Sequence, residues 1–396
     1  MSGLAAELLL PVADIGAPEA VLSAVLRAGF RPEHFLAVLS AKEKGVVTAA
    51  CLGAAAGACA LPLRVAVVSR DKALQKQLVA SAGIPAAKVL FVGSPSGLAA
   101  SAVVGEPFRP VVVKPLRGVA CGATEIITSM EALDRYTAAW AATDGEILVE
   151  ERVDFAEEWH LDGVVRDGRL EFLSVGRYVT PCLDVTRGFA TQLFVFDPER
   201  SADRYRLART FSAATLDALG LRDGVFHLEA FYRPEKEELW FGECAARPGG
   251  GGIPDVVRHK FGVDLAGRGL DAVLARPPAL LGAPIAGAVG KVSLPALPGA
   301  VTAAPTTDEL LALPQVVDGQ INVSVGSWMA DMRRENRPHG GLAVLAADDE
   351  PALLRRMAEV VEWFARRTRI RTDTERETTL LAQGAALGCG FTGVSG

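Results

Sequence analysis

The chain has 396 residues, 50% of them hydrophobic and 22% charged, which is typical of a globular protein with a large core and two or three domains. A formal net charge of −6 and the lack of any Lys/Arg run argue against nucleic acid as a partner. Its six cysteines show no CxxC spacing, which indicates free thiols in a reducing compartment, so we expect a cytoplasmic protein without disulfides.

The N-terminal part, residues 1–68, alternates apolar runs with helical patterns. This alternation predicts an α/β domain with a parallel sheet, in which the run 63–69 is a strand. The start of the chain lacks the features of a signal peptide. The charge-free stretch 46–63 is long enough to span a membrane, but it is rich in Ala and Gly and contains a proline. We therefore expect a packed helix there and no membrane segment.

The middle of the chain begins with an amphipathic helix that Asp71-Lys72 opens and a Gly-Ile-Pro sequence ends. An apolar strand, VVVK, then ends at Lys114 and leads into a glycine-containing loop. A second strand follows at 146–153, and a hairpin with the turn Asp167-Gly168 comes after it. A helix at about 203–219 precedes a second hairpin, 224–246.

The second hairpin carries Glu229 and Glu243 on its two apolar segments. Pairing the segments about Lys236 places the two carboxylates directly opposite each other, and His227 opposite Ala245. Two like charges so close would repel each other, and a divalent cation held by both would remove that cost. The alternative is a solvated hairpin face on which each carboxylate pairs with an arginine.

Lys114 is the second unusual charge, because the chain has only nine lysines against thirty-two arginines. A charge at the end of an apolar strand must be paired or must face a cleft. It could hold a phosphate, with the backbone N–H groups of Gly118 to Thr124 closing over the other oxygens. Alternatively, it could extend along the strand end to reach water.

Taken in order, these parts resemble the ATP-grasp superfamily, and within it the carboxylate–amine ligases that include amino-acid ligases. The resemblance rests on Lys72 before its helix, on VVVKP with the glycine loop, on LVEERV, on the two glutamates and on Arg247-Pro-Gly-Gly, and it covers roughly residues 35–365. It implies an α/β protein with α+β character in the nucleotide-binding part. The domains would be an N-terminal parallel α/β domain (1–68), a two-lobed ATP-grasp domain (69–272, with lobes 69–142 and 143–272), a C-terminal α+β subdomain (273–370) and a loosely ordered tail (371–396).

The resemblance also implies roles for individual residues. Lys72 and Lys114 would contact ATP phosphates, Glu229 and Glu243 would bind Mg²⁺, and Arg247 would be the catalytic arginine that steadies the transferred phosphoryl group. The remaining ATP-binding positions would lie in the glycine loop, at the adenine hinge and at the ribose: Gly118, Cys121, Gly122, Glu150, Glu151, Val153 and Glu158. For the substrates we expect His227, Arg187, Gly249 and Gly250.

Each role has a plain alternative. Glu150 and Glu151 could be solvated acids at a strand end, Glu158 could pair with Arg177, and Arg247 could be an ordinary surface arginine. His227 could be a structural histidine, and the glycines 249–252 a connector that only lets the backbone turn before a helix that starts near Pro254. Trp240 is expected on the opposite face of the hairpin, in the core.

The chain also departs from the family pattern at two places. Ala245 stands where members usually carry an Asn ligand, and Cys121 stands where they often carry Ser. These departures bear on substrate class and on how many metal ions bind.

The expected activity is an ADP-forming ligation in which ATP activates a small carboxylic acid, such as an amino acid, as an acyl phosphate that an amine then attacks. The cofactors would be ATP and Mg²⁺, the partners would be small-molecule carboxylate and amine substrates, and a homodimer stays open. Two other functions stay open. One is a carboxylase or carboxyphosphate-forming enzyme of the same fold, and the other is a nucleotide-binding protein without turnover.

Overall fold

The computed structural model describes residues 9–98, 109–118, 123–140, 145–187, 191–278, 280–329, 340–371 and 377–379, with the backbone alone for 185–187 and 377–379. The helices are α1 Pro18–Arg27, α2 Val46–Ala56, α3 Leu63–Val68, α4 Lys72–Ser81, α5 Met130–Trp140, α6 Ala202–Leu219, α7 Ile253–Phe261, α8 Leu265–Val273, α9 Thr307–Leu311 and α10 Glu350–Arg367. The strands are β1 Val89–Gly93, β2 Val111–Pro115, β3 Glu125–Ile127, β4 Ile147–Glu151, β5 Glu157–Arg166, β6 Arg169–Tyr178, β7 Gln192–Val195, β8 Gly224–Arg233, β9 Glu238–Ala245, β10 Ala288–Leu294, β11 Gly299–Ala303, β12 Val316–Ile321, β13 Trp328–Met329, β14 Gly341–Ala347, β15 Arg369–Arg371 and β16 Glu377–Thr379.

The mixed α/β class is confirmed, but the N-terminal segment differs in detail from the expectation. The run 63–69, expected as a strand, is helix α3, which follows Pro62 at its N-cap and buries Val65, Ala66 and Val68 on one side. Short apolar runs do not distinguish a strand from a buried helix. Among the described residues 9–88, parallel pairing is limited to two isolated bridges, Ala37 with Cys59 and Ala86 with Phe241 of β9.

Three sheets organise the rest of the described chain. The first sheet has the order β1-β4-β2-β3, and α5 packs against it through Leu133 and Tyr136. This sheet with α5 is called the small lobe below, and it includes β4, which the expected limit at residue 142 assigned to the other lobe. The central sheet has eight strands in the order β12-β14-β10-β7-β6-β5-β8-β9. The third sheet has the order β13-β11-β15-β16.

The two faces of the central sheet are buried differently. Helix α10 packs on one face, where Met357 and Val360 join the main hydrophobic core. Helix α7 packs on part of the other face through Val256 and Val257, which contact residues such as Val289. Each such side chain contributes roughly 1.5–3 kcal/mol by leaving water. The part of this second face that lies on β5, β8 and β9 carries polar side chains.

Both predicted hairpins are present. At the turn between β5 and β6, Asp167 and Gly168 have φ angles of 52° and 75°, as a type I′ turn requires. The second hairpin joins β8 and β9 through a 3-10 turn, Pro234–Lys236. Both hairpins belong to the central sheet, where their strands are neighbours in the order β6-β5-β8-β9.

Strands β10, β12 and β14, which follow the expected boundary near residue 272, hydrogen-bond into the central sheet, with β10 next to β7. One sheet thus contains strands from both sides of the expected boundary, and the limits of the domains stay predictions. Among the described residues, no helix has both the length and the apolar character needed to cross a membrane.

Candidate active site

The hairpin β8–β9 places Glu229 directly opposite Glu243 and His227 opposite Ala245, as the sequence pattern predicts. The ladder slips by one residue immediately beyond this pair, because Gly242 is an extra residue between Glu243 and Phe241. A Cβ atom on Gly242 would lie 2.8 Å from the carbonyl oxygen of Glu229, so the bulge needs a residue without a side chain.

The bulge overturns the expectation for Trp240. Trp240 pairs with Phe231, which lies two residues from Glu229 and therefore on the same face of the sheet. Its indole is half-buried and donates a hydrogen bond to Glu238 at 2.8 Å, whereas the fully buried core residue is Phe241. One extra residue in a strand reverses the faces of all the residues beyond it.

Lys72, at the start of α4, contacts the carboxylate pair. Its Nζ lies 2.6 Å from Glu243 Oε2. Burial alone would raise the pKa of Glu243, but the charges of Lys72 and Lys114 outweigh that effect and lower the pKa to about 2. The carboxylate therefore stays ionised, as a metal ligand must.

Lys114 and Glu150 form a buried ion pair on neighbouring strands of the small lobe, with Nζ 2.7 Å from Oε1. A second lysine, Lys76, lies 3.3 Å from the other carboxylate oxygen and also donates to the carbonyl of Phe241 at 3.0 Å. Burial would raise the pKa of Glu150, but the two lysines lower it, so Glu150 is a buried charge and not a solvated acid. Because Lys114 is held in this ion pair, the alternative that its side chain extends along the strand end to water is wrong.

Lys76 was missed from the sequence, although the rarity of lysine in the chain was already a signal. It lies four residues after Lys72, and its side chain is only 2% exposed. Burial lowers its pKa to about 8 in spite of the neighbouring Glu150. Its ion pair links α4 to the small lobe, and its hydrogen bond links α4 to β9, so this residue connects both halves of the candidate site.

The remaining hinge positions lie at the end of β4. Glu151 is exposed, and its backbone N–H donates to the carbonyl of Lys88 at 3.0 Å. Val153 is half-buried, two residues beyond the strand. The side chain of Glu151 therefore fits the solvated alternative, while the backbone positions of an adenine hinge stay a prediction.

Glu158 lies on the same face of the central sheet as Glu229, and its Oε2 accepts a hydrogen bond from the backbone N–H of Cys182 at 2.9 Å. Burial and the nearby charge of Glu229 raise its pKa to about 8. The alternative pairing with Arg177 is wrong, because Arg177 bonds to Glu350 at 2.5 Å.

A buried network links His227 on β8 to Asp162 on β5 and to Glu229. Asp162 Oδ1 lies 2.8 Å from His227 Nδ1, and Asp162 Oδ2 lies 2.8 Å from His160 Nδ1. The Nε2 atom of His227 lies 3.3 Å from Glu229. Burial would lower the pKa of His227, but Asp162 raises it to about 10, so its imidazole carries a positive charge. The role of Asp162 was missed, because only the folded register brings it beside His227.

Arg247 follows β9 and is half-buried, not an ordinary surface arginine. Its guanidinium bonds to Glu43 and donates to the carbonyl of Pro248 at 2.7 Å. Glu43 also pairs with Arg70, whose Nη2 donates to the carbonyl of Arg117 at 2.7 Å. Glu43 was missed as well, since it lies in an N-terminal 3-10 turn, far from Arg247 in sequence.

The glycine positions are only partly described. Gly118 follows β2, with its N–H bonded to the carbonyl of Pro115 at 3.2 Å. The expected loop residues Cys121 and Gly122 lie outside the described residues, as does the side chain of Arg187, whose backbone ends the 3-10 turn Cys182–Arg187.

Gly249 lies directly over the histidine network. A Cβ atom there would come within 2.6 Å of Asp162 Oδ1 and 2.9 Å of His227 Nδ1. Gly250 is exposed, and Gly251 and Gly252 have positive φ angles before α7, which has Pro254 in its first turn as expected. Gly249 is thus a packing requirement and more than a connector.

The donor set at Glu229 and Glu243 fits Mg²⁺. Within the described ranges no cluster of three or more His, Cys, Asp or Glu could hold a metal ion. Magnesium is commonly bound through one or two carboxylates, with phosphate oxygens and water completing six ligands. Two opposed carboxylates, one of them already holding an ammonium group, provide that partial set, and Ala245 adds no oxygen.

Comparisons with known proteins show similarity in sequence and in fold. No protein-family model matches the chain. An L-arginine-specific L-amino acid ligase of Bacillus subtilis is 29% identical over 299 residues, which cover 73% of this chain and 69% of that protein.

Solved structures show the same fold. An L-amino acid ligase from Bacillus licheniformis superposes with a TM-score of 0.69 at 17% identity, over 89% of this chain and 85% of its own. A phosphoribosylglycinamide synthetase from Anaerococcus prevotii gives a TM-score of 0.61 at 15% identity, over 91% and 87% of the two chains. A carboxyaminoimidazole ribonucleotide synthase from Aspergillus clavatus, complexed with ATP, gives 0.63 at 15% identity, over 87% and 85%. The chain is thus similar in sequence to an L-amino acid ligase and shares the fold of these ATP-dependent enzymes.

Proposed function

We propose that this protein is an ATP-dependent, ADP-forming ligase that joins the carboxylate of one amino acid to the amine of a second substrate. The observation that carries the proposal is the convergence of Glu229, Glu243, Lys72 and the half-buried Arg247 at one end of the β8–β9 hairpin. Amino acids are proposed as the acid because both ligases named above act on them by name.

In this proposal ATP lies between the small lobe and the central sheet. Lys114, beside Glu150, and Lys72, beside Glu243, neutralise phosphate charge. Glu158 accepts the ribose hydroxyls, and the backbone near Glu151 and Val153 receives the adenine edge. A magnesium ion held by Glu229 and Glu243 would supply charge neutralisation between the phosphates.

The chemical step then needs orientation more than covalent chemistry from the protein. A substrate carboxylate attacks the γ-phosphorus in line, the bond to the ADP oxygen breaks, and an acyl phosphate forms. Arg247 and the charged His227 stabilise the negative charge on the transferred group. The amine attacks the acyl carbon, phosphate leaves and one proton is released. Gly249 allows the backbone to approach His227 closely.

A phosphate-release assay with ATP, Mg²⁺ and all pairs of the twenty amino acids tests this function, starting with pairs that contain L-arginine because of the relative's name. Release that requires both an acid and an amine, with ADP and an amide as products, supports the proposal. Release that requires bicarbonate would instead indicate carboxyphosphate chemistry, and nucleotide binding without any release would refute ligation.

A further inference from the structure

Tyr178, the last residue of β6, reaches across the central sheet to one of the two opposed glutamates. Its hydroxyl donates a hydrogen bond to Glu229 Oε1 on β8 at 3.2 Å. Strand β5 lies between β6 and β8, so the backbones of these two strands are about 10 Å apart at the usual spacing. Tyr178 lies in the row of Glu158 on β5, on the face that carries the candidate site. The phenol ring therefore extends over β5 to reach Glu229.

The position of the Tyr178 ring is fixed by the packing around it. The residue is buried, and the centroid of its ring lies 5.3 Å from that of the His160 imidazole on β5. The Nδ1 atom of His160 lies 2.8 Å from Asp162 Oδ2, which holds the imidazole in place. A Cβ atom on Gly176 would come within 2.3 Å of His160 Nε2, so the glycine leaves the space that the imidazole needs. The imidazole in turn supports the ring that reaches Glu229.

The hydrogen bonds at Glu229 occupy one of its two carboxylate oxygens. Oε1 is contacted by two groups, the Tyr178 hydroxyl and His227 Nε2 at 3.3 Å, whereas no hydrogen bond from the described residues reaches Oε2. A carboxylate oxygen has about two lone-pair sites, so Oε2 is the oxygen that stays available to a cation. On the opposed Glu243, the ammonium of Lys72 likewise lies at one oxygen, Oε2, at 2.6 Å.

We propose that Tyr178 is a positioning residue for the divalent cation at Glu229 and Glu243. Its hydroxyl holds Oε1 of Glu229, so the carboxylate does not turn and Oε2 is kept for the cation. This inference rests on the metal role in the proposed function and deepens it, because it names the group that prepares one of the two ligands before the nucleotide binds.

The physical reason is the rotational freedom of a carboxylate. The terminal torsion of a glutamate is broad and roughly two-fold, so a carboxylate without a hydrogen bond has to be ordered when a metal ion binds. A hydrogen bond to the oxygen that does not bind the metal provides this order in advance, and such partners of metal ligands contribute about 10- to 100-fold in metal affinity. Because His227 contacts the same oxygen, loss of the Tyr178 hydroxyl alone should have an effect near the lower of these values.

The test compares the wild-type protein with Tyr178→Phe, which keeps the ring and removes only the hydroxyl. Calorimetry measures the affinity for a non-hydrolysable ATP analogue twice, once in EDTA and once at saturating Mg²⁺. The ratio of the two affinities, called the Mg²⁺ factor below, reports the coupling between metal and nucleotide. In Tyr178→Phe the Mg²⁺ factor should be roughly tenfold smaller than in the wild type, while the affinity in EDTA changes less than about twofold.

Tyr205→Phe is the matched control. It removes a tyrosine hydroxyl that is bonded to the carbonyl of Phe196 at 3.1 Å and to the backbone N–H of Val175 at 3.3 Å, and to no residue of the candidate site. The Mg²⁺ factor of this variant should equal that of the wild type. Thermal unfolding without ligand, measured for both variants, separates loss of stability from loss of metal affinity.

An unchanged Mg²⁺ factor in Tyr178→Phe would overturn the inference. It would mean a packing role if only the stability falls, or a nucleotide contact if both affinities fall equally. A wild-type protein that binds the analogue no more tightly with Mg²⁺ than in EDTA would remove the metal site, and with it both this inference and the proposed function. A reduced factor in a protein that releases no phosphate with any pair of amino acids would support the role of Tyr178 and refute ligation alone.

Discussion

The guanidinium of Arg247 is hydrogen-bonded to Glu43, which lies in the 3-10 turn Glu43–Gly45 of the N-terminal segment, far from Arg247 in sequence. Glu43 is a half-buried carboxylate between two arginines, since it also pairs with Arg70. Arg70 in turn reaches the backbone of Arg117, which follows β2. The N-terminal segment thereby fixes the position of the arginine that we propose for phosphoryl transfer.

We predict that Glu43→Gln lowers kcat by roughly tenfold or more, because Arg247 loses the charged partner that orients it. The affinity for ATP, measured by calorimetry, should change less than about twofold, since Glu43 contacts neither Lys72 nor Lys114. Glu33→Gln, at an exposed position of a neighbouring 3-10 turn, is the matched control. A loss of thermal stability with kcat unchanged would show that Glu43 serves packing alone.

We predict that Glu243→Ala abolishes turnover while the fold persists. The change removes one of the two opposed carboxylates and leaves Lys72 without its ion pair. Phosphate release should fall at least about a hundredfold, since the charge of the metal acts directly on the transferred group. Circular dichroism should show an intact fold, and Glu235→Ala, exposed in the hairpin turn, should be fully active. Turnover in Glu243→Ala near the wild-type rate would be incompatible with a metal role.

The local part of the site could be predicted from sequence, because it depends on alternation along two strands and on one turn. The opposition of Glu229 and Glu243 and the placement of His227 follow from such counting. The bulge at Gly242 could not be predicted in this way, because a glycine within a strand is equally consistent with a bulge, a tight bend or the close approach of another backbone. That one residue reversed the expected face of Trp240.

Long-range contacts explain the other gaps. Glu43, Lys76 and Asp162 acquire their roles from partners on other elements, at Arg247, Glu150 and His227. No period or spacing in the chain brings these residues together, so only the packed fold shows the contacts. The prediction of a strand at 63–69 was wrong for a different reason, because the length and composition of this run suit a strand and a buried helix equally well.

We predict that Lys114→Met weakens ATP binding roughly tenfold or more and also destabilises the fold. The substitution leaves Glu150 buried with Lys76 as its one ion-pair partner among the described residues, and breaking such a pair costs roughly 3–5 kcal/mol. Calorimetry measures the first effect and thermal unfolding the second. Adding Glu150→Gln should recover part of the stability and none of the affinity. Recovery of both would mean that Lys114 acts only by holding Glu150.

We predict that the buried Lys291 on β10 makes the free energy of unfolding depend on pH. Burial lowers its pKa in the folded state from 10.5 to about 8, so the unfolded chain binds the proton more tightly between these values. Stability from this group is therefore full above pH 10.5 and is lost as the pH falls through 8. At pH 7, Lys291→Met should unfold with a free energy up to about 3 kcal/mol higher than the wild type. The gap should close as the pH rises from 8 to 10.5, and a gap that stays constant with pH would contradict a charged, unpaired Lys291.

The bulge in β9 gives the last prediction. Gly242→Ala places a methyl group 2.8 Å from the carbonyl oxygen of Glu229 and 3.1 Å from its carbonyl carbon, which is too close for either contact. The hairpin must either lose the bulge or move Glu229, and in both cases the two carboxylates no longer face each other. We expect a loss of roughly 1–3 kcal/mol in the free energy of unfolding, together with a large loss of phosphate release that extra Mg²⁺ only partly restores. Gly145→Ala, where no atom lies within 4 Å of the new methyl, should leave both quantities unchanged. A fully active Gly242→Ala protein would mean that the opposed pair tolerates displacement, which a shared metal ion does not.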